Sequence, residues 1–123
     1  MTKNVLIVDD SPTMRRILMR GMRQAGLDSA HFEEACDGLE GLKAVADAAF
    51  DLILSDVHMP HMNGLDFVTE LADKLGTPPP IVMITSEGCE EIVDEAMNRG
   101  AKGYLKKPFT PEKIQEIIGP LLG

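Results

Sequence analysis

The chain has 123 residues and a formal net charge of −8, which argues against nucleic acid or an anionic membrane as its main partner. Its content of 44% hydrophobic and 26% charged residues is ordinary for one globular domain, expected over residues 1–123. The N-terminal segment does not resemble a signal peptide, and no apolar run approaches the roughly 18 residues of a membrane span.

The first half of the chain alternates predicted strands and helices. Residues 4–8 contain the continuous apolar run 5–8, which indicates a strand buried on both faces. Ser11 and Pro12 then start a helix that ends at Gly26. Residues 31–35 predict a weaker strand at a sheet edge, and a second helix follows. Apolar residues at helical spacing define the inner faces of these two helices: Met14, Ile17, Leu18, Met22, Ala25, and Leu39, Leu42, Val45, Ala46, Ala49.

The second half repeats the same alternation. Predicted strands three, four and five span 52–55, 81–84 and 103–105. Three helices follow them. The third begins at Asn63-Gly64, the fourth spans about 89–99, and the fifth begins at Thr110-Pro111. The inner face of the third helix is expected at Leu65, Val68, Leu71, Ala72 and Leu75, and that of the fifth at Ile114, Ile117, Ile118 and Leu121.

This regular pattern predicts a (βα)5 fold of class α/β, a doubly wound parallel five-stranded sheet with right-handed crossovers. Five units are too few for an eight-stranded barrel, so the sheet must be open. Ligands of such sheets bind where the strand order reverses, beyond the carboxyl ends of the strands. In the order 2-1-3-4-5, strands one and three flank that point, and they end at Asp9-Asp10 and Asp56.

The carboxyl edge of the predicted sheet collects charged side chains. Asp9, Asp10 and Asp56 would share it with the hydroxyl of Thr85 and a lysine from the pair 106–107. Two carboxylates about 4 Å apart repel by roughly 4 kcal/mol at an effective dielectric near 20, so the site needs a proton, a lysine or a metal ion. Oxygen ligands favour a hard cation, and Mg²⁺ fits best. The chain contains no glycine-rich nucleotide loop.

The same residues suit phosphoryl transfer to an aspartate. A carboxylate is ionised at pH 7 and attacks phosphorus without a general base. Mg²⁺ and an ammonium group would neutralise the oxygens of the transferred group, and the Thr85 hydroxyl would donate to one of them.

At this point the sequence resembles a known family. Asp9-Asp10, Asp56, Thr85 and the segment 107–109 (Lys-Pro-Phe) match, in order, the receiver domain of two-component response regulators. The stretch 9–18 is particularly similar to that of single-domain chemotaxis regulators, as is 56–64. The resemblance covers nearly the whole chain and implies a flavodoxin-like fold.

The resemblance implies a role for each residue of the edge. Asp56 would be the phosphoacceptor. Asp10, Asp56 and the backbone carbonyl of His58 would bind Mg²⁺ directly, and Asp9 would act mostly through bound water. Lys107, which immediately precedes a proline, would pair with Asp56, and the peptide bond to that proline would be cis.

The resemblance also implies a conformational change and residues that set how long the phosphorylated state lasts. Thr85 would move toward the phosphoryl group and Tyr104 would swing inward behind it, which alters the surface formed by helix four, strand five and helix five. His58 and Glu87 would line the mouth of the site and set the rate of acyl-phosphate hydrolysis. His58 and His61 also form an H-x-x-H pattern, for which a transition-metal site is the weaker interpretation.

The expected function is therefore that of a cytoplasmic signalling protein and not of an enzyme. A histidine kinase would donate the phosphoryl group, and a downstream protein would bind the switched surface, in a process similar to chemotaxis. The protein is expected to be a monomer, with dimerisation on activation left open. The alternatives are a receiver module of a larger protein with DNA-binding or enzymatic output, and an aspartate-based phosphohydrolase, which would need an acid where Ser11 stands.

Three further features of the sequence belong to no recognised motif. Cys36 and Cys89 lack metal or redox spacing and are expected to be free buried thiols of a reducing compartment. The cluster Arg15, Arg16, Arg20, Arg23 is interpreted as a solvated helix face, with a local partner patch as the alternative. The fourth helix carries Glu90, Glu91, Asp94 and Glu95, an acidic face that favours a basic partner.

Overall fold

A parallel five-stranded sheet lies between two layers of helices in the computed structural model, which describes residues 3–27, 30–86 and 90–122. The strands are β1 (Asn4–Val8), β2 (His31–Ala35), β3 (Leu52–Asp56), β4 (Ile81–Thr85) and β5 (Gly103–Lys106). The helices are α1 (Pro12–Gln24), α2 (Gly38–Asp47), α3 (Gly64–Leu75), α4 (Glu90–Arg99) and α5 (Pro111–Leu122). The strand order β2-β1-β3-β4-β5 confirms the predicted fold and puts β2 at an edge.

The continuous apolar runs are explained by two cores, one on each face of the sheet. Alternate residues of a strand point to opposite faces, so β1 sends Val5 and Ile7 into one core and Leu6 and Val8 into the other. All four side chains are fully buried. The first core is closed by α1 and α5, and the second by α2, α3 and α4.

The predicted helix starts are confirmed by side-chain caps. Ser11 Oγ accepts a hydrogen bond from Met14 N at 3.2 Å, and Asn63 Oδ1 accepts one from Asp66 N at 2.9 Å. Thr110 Oγ1 likewise accepts from a backbone N–H of α5. Each cap satisfies an N–H group that the first helical turn leaves without a partner.

Three strands extend one residue further than predicted. Asp56, Thr85 and Lys106 lie within β3, β4 and β5, because they still pair with their neighbours: Asp56 with Ile84, and Thr85 with Lys106. The site residues Asp56 and Thr85 are therefore held by the sheet and not by the loops that follow it.

On α1, α2 and α3, helical spacing predicts more buried residues than the structure shows. Ile17 is 45% exposed, Leu39 52% and Leu75 38%. In α1 the buried position is Leu18, and the preceding residue lies about 100° around the helix from it, beyond the edge of the contact. An apolar side chain at the margin of a stripe is thus left in solvent.

The expectation of buried thiols can be compared with the structure for one of the two cysteines. Cys36 is only partly buried, so the expectation of a buried thiol is wrong for it. It lies after the last residue of the edge strand β2, where one side of the chain faces solvent. Cys89 lies outside the described residues, as does Glu87. Within the described ranges, no helix combines the length and apolar character needed to cross a membrane.

Candidate functional site

Three carboxylates meet at the carboxyl edge of the sheet. Each of Asp9, Asp10 and Asp56 offers an oxygen that lies within 4.8 Å of the other two. Asp9 and Asp10 follow β1 and Asp56 ends β3, so the cluster lies at the reversal point of the strand order. These oxygens form a group that can hold a metal ion.

Asp9 is the most deeply buried member of the cluster, with only 1% of its surface exposed. Its Oδ1 accepts a hydrogen bond from Ser11 N at 2.8 Å, but its buried Oδ2 has no hydrogen-bond partner within the described part of the chain. Burial raises the pKa of Asp9 to about 6, and the charges of Asp56 and Asp10 add to the rise. The Ser11 N–H and the charge of Lys107 oppose it. A buried oxygen in this state is a ready ligand for a cation or a site for a proton.

Asp56 is held from two sides. Its Oδ1 accepts a hydrogen bond from Val57 N at 2.8 Å and lies 3.9 Å from Lys107 Nζ. Burial raises the pKa of Asp56, while the Lys107 ammonium, followed by the backbone N–H groups of Val57 and His58, lowers it. Lys106 instead lies with its Nζ 4.0 Å from Glu90 Oε1 on the surface. The structure thus places Lys107 of the lysine pair beside Asp56.

The backbone around Lys107 explains this choice between neighbours. Lys107 N donates to the Thr85 carbonyl at 2.7 Å, and the Lys107–Pro108 peptide bond is cis, as the resemblance implied. Lys106 ends β5 and the Lys107 N–H still pairs with β4, so consecutive side chains of this extended segment point to opposite sides, Lys107 to the cluster and Lys106 to α4.

Thr85 and Tyr104 both line a small cavity. Thr85 is 4% exposed, and its hydroxyl donates to the Ser86 carbonyl at 3.2 Å and not to the acidic cluster. Tyr104 is 47% exposed and faces outward. A cavity of about 150 Å³ is lined by both residues together with Val93 of α4. The two side chains therefore border the same empty space.

The loop after β3 contains two histidines, His58 and His61. His58 follows Asp56 by two residues and is exposed. His61 has a positive φ of 67°, and its Nδ1 lies 2.8 Å from Asp37 Oδ2. Asp37 also caps α2 through Oδ1, so His61 ties the loop to that helix. The position of His61 therefore has a local structural explanation that needs no transition metal.

Arg15 is the residue of the site that sequence reasoning missed. Its side chain is only 15% exposed, which corrects its assignment to a solvated face. Its Nη1 donates to the Asp9 carbonyl at 2.6 Å, and its Nε donates to Glu34 Oε1 at 2.9 Å. The neighbouring Arg16 is exposed, as the solvated-face interpretation expects. The position of Arg15 one helical turn after Ser11, facing the carboxyl end of β2, was the available signal.

Comparison with known proteins gives one consistent result. Residues 5–119 match the family model described as the response regulator receiver domain. The chain is 40% identical over 121 residues to chemotaxis protein CheY1 of Helicobacter pylori, covering 97% of this chain and 96% of that protein. It is 39% identical over 115 residues to CheY-3 of Vibrio cholerae, covering 93% and 87% respectively.

A solved structure agrees with the sequence relatives. The chemotaxis response regulator CheY4 of Vibrio cholerae superposes with a TM-score of 0.86 at 36% identity, covering 99% of this chain and 100% of that one. Together with the acidic cluster at the sheet edge, these matches show that the chain belongs to the receiver-domain family of two-component response regulators and is homologous to the CheY chemotaxis proteins.

Proposed function

We propose that this protein is a phosphorylation-controlled switch in which Asp56 accepts a phosphoryl group from a histidine kinase. The observation that carries the proposal is the juxtaposition of Asp9, Asp10 and Asp56 with Lys107 Nζ 3.9 Å from Asp56 Oδ1. An acceptor carboxylate, a cation site and an ammonium are the groups that phosphoryl transfer to aspartate requires.

The cluster fits Mg²⁺ as the cation. Its ligands are hard carboxylate oxygens, and the buried, unpartnered Oδ2 of Asp9 leaves a negative charge to be neutralised. Asp10, Asp56 and the backbone carbonyl of His58 would hold the ion, with Asp9 supporting it from the buried side. When bound, Mg²⁺ supplies positive charge to the oxygens of the group being transferred.

The protein side chains divide the remaining work. An oxygen of Asp56 forms a bond to phosphorus as the bond from phosphorus to the donor breaks, which gives an acyl phosphate on Asp56. Lys107 then pairs with the phosphoryl oxygens, and Thr85 turns from the Ser86 carbonyl to donate to one of them. Hydrolysis of the acyl phosphate by water restores the carboxylate and releases phosphate. His58 and Glu87 set how fast water reacts there.

The output surface is formed by α4, β5 and α5. Movement of Thr85 opens room for Tyr104 to turn into the cavity beside it. Tyr104 also lines a larger surface cavity of about 570 Å³ with Met97, Phe109 and Ile117. Turning it inward therefore changes the shape of an apolar groove on which a downstream protein can dock.

The wider assignment follows from the family. We propose one receiver domain over residues 1–123, a cytoplasmic monomer that signals by binding, with a chemotaxis-like role suggested by the relatives. Catalysis is limited to its own phosphorylation and dephosphorylation. An aspartate-based phosphohydrolase would need an acid at position 11. That position holds Ser11, whose side chain caps α1.

The proposal is tested by phosphoryl transfer from acetyl phosphate. Wild-type protein should gain acid-labile phosphate only in the presence of Mg²⁺, and Asp56→Asn should gain none. Asp73→Asn, which neutralises an exposed carboxylate of α3, is the matched control and should behave as wild type. Wild-type incorporation by Asp56→Asn would refute the assignment of the acceptor.

A further inference from the structure

Arg15 joins three elements at the edge of the acidic cluster. It belongs to α1, its Nη1 donates to the carbonyl of Asp9 after β1, and its Nε donates to Glu34 in β2. The planar guanidinium presents these donors in a fixed fork, so one side chain fixes two distances at once. The Arg15 side chain is only 15% exposed and its contact with Asp9 is partly buried, whereas the Glu34 side chain that anchors it is 44% exposed.

These contacts complete the restraint of Asp9. Its backbone N–H donates to the Ala35 carbonyl at 3.0 Å, its Oδ1 accepts from Ser11 N, and its carbonyl accepts from Arg15. The carbonyl of Asp9 lies in the same peptide plane as the N–H of Asp10. Holding that carbonyl therefore sets the direction in which the chain enters Asp10, the carboxylate proposed to bind Mg²⁺ directly.

The charge of Arg15 would have the opposite effect from its geometry. A positive charge close to a cation site repels the cation, so charge alone predicts weaker Mg²⁺ binding in the presence of Arg15. Groups that orient metal ligands commonly strengthen binding, and their loss costs about 10- to 100-fold in affinity. The two effects can therefore be separated by the sign of the change when Arg15 is removed.

We propose that Arg15, anchored by Glu34, is a positioning residue that holds the Asp9–Asp10 peptide in the orientation required for Mg²⁺ binding. The inference rests on the proposed function, because it assigns Arg15 to the same metal site. Arg15 touches neither the phosphoryl group nor the ion and acts through the backbone of Asp9.

The test is Mg²⁺ titration of the unphosphorylated protein by calorimetry, a measurement independent of phosphoryl transfer. Arg15→Met should raise the Mg²⁺ dissociation constant roughly tenfold, as expected for the loss of an orienting partner. Arg16→Met removes the same charge from the next, exposed position and should change it less than about twofold. Arg15→Lys keeps the charge but loses the fork, and should bind more weakly than wild type. Unchanged or tighter Mg²⁺ binding by Arg15→Met would overturn the proposal.

A second pair of variants keeps the test decisive if Arg15→Met does not fold, which urea unfolding without Mg²⁺ would reveal. Glu34→Gln retains a carbonyl acceptor for Arg15 and should bind Mg²⁺ nearly as wild type does, whereas Glu34→Ala releases the side chain and should bind more weakly. Equal effects of both changes would mean that charge alone acts, and would refute the positioning role. Failure of wild-type protein to bind Mg²⁺ would instead contradict the proposed function itself.

Discussion

At the scale of single residues, the buried carboxylate of Asp9 lowers the stability of the folded protein. Asp9 has a pKa of about 6, compared with an ordinary value of 3.8. That difference corresponds to about 3 kcal/mol of destabilisation when the carboxylate is ionised in the folded protein. Because the folded pKa is the higher one, stability falls as pH rises from about 4 to 6 and stays low above that range. The buried charge is retained in spite of this cost, which is typical of a functional group.

Asp9→Asn should therefore stabilise the metal-free protein. At pH 7 we expect its free energy of unfolding to exceed that of wild type by about 1–3 kcal/mol, because asparagine keeps the acceptor for Ser11 N without the charge. The gain should shrink as pH falls from 6 to 4, where Asp9 becomes protonated. Urea unfolding in EDTA over this pH range measures it, with Asp73→Asn as the exposed control. Equal or lower stability of Asp9→Asn at pH 7 would contradict the cost assigned to this group.

The adjacent lysines provide a second prediction. Since the Lys107 ammonium lowers the pKa of Asp56, Lys107→Met should raise that pKa further. Lys106→Met removes the same charge from a side chain directed at Glu90 and should leave the pKa nearly unchanged. NMR titration of the Asp56 carboxyl carbon distinguishes the two variants. A shift of similar size in both would mean that the 3.9 Å contact is not what controls Asp56.

At the scale of elements, the sequence was sufficient wherever one local rule decided the structure. Continuous apolar runs such as 5–8 marked strands buried on both faces, and the caps Ser11 and Asn63 marked helix starts. The edge cluster followed from the topology, because parallel strands bring their carboxyl ends together. These features depend on residues close in sequence or on a connection rule that holds for nearly all parallel sheets.

The features that were not predicted depend on contacts between distant segments. Helical spacing predicts both Leu18 and Ile17 on the inner face of α1. Only the packing of α1 on the sheet shows that Leu18 is buried and Ile17 exposed. Composition placed Arg15 with exposed arginines, and only the meeting of α1 with β1 and β2 shows that it holds Asp9 and Glu34. Periodicity reports the direction of a side chain and not the group that it reaches.

The start of α3 gives a prediction at this scale. A Cβ added to Gly64 would lie 2.5 Å from the carbonyl oxygen of Asp56 and 3.0 Å from Val57 Cα, both backbone atoms that cannot simply turn aside. We expect Gly64→Ala to lower the free energy of unfolding by about 1–3 kcal/mol and also to slow phosphorylation of Asp56.

Gly21→Ala in α1 is the control for that change. Its added Cβ would press on Cδ1 of Ile114, the end of a side chain in the core between α1 and α5. It should cost stability without slowing phosphorylation of the protein that remains folded. Urea unfolding and acetyl-phosphate kinetics on both variants test this, and a normal phosphorylation rate in Gly64→Ala would show that the close approach does not position Asp56.

At the scale of the whole molecule, the site is linked to the output surface through the strands themselves. Thr85 ends β4 and pairs with Lys106 of β5, two residues beyond Tyr104. The surface near Tyr104 carries both signs of charge, with Glu90 and Asp94 of α4 beside the smaller cavity and Lys106 and Lys113 beside the larger one. Lysines therefore flank the acidic face of α4, and a basic partner stays a prediction for the part of the surface that α4 forms.

Cation binding should also be visible in global stability. A ligand that binds only the folded state at 100 times its dissociation constant stabilises a protein by about 2.7 kcal/mol. Saturating Mg²⁺ should raise the free energy of unfolding of wild-type protein by an amount of this order, and that of Asp10→Asn by much less. Urea unfolding in Ca²⁺-free buffer, with and without Mg²⁺, measures this gain for both proteins. An equal gain in both proteins would place the ion elsewhere.

The most direct test of the central claim is to locate the phosphoryl group. Borohydride reduces an acyl phosphate to an alcohol, so a phosphorylated aspartate becomes homoserine. Tandem mass spectrometry of the chain after treatment with acetyl phosphate, Mg²⁺ and borohydride should find homoserine at position 56 and aspartate at positions 9 and 10. Homoserine at either of those two positions, or no conversion at position 56 despite incorporated phosphate, would contradict the assignment of Asp56 as the acceptor.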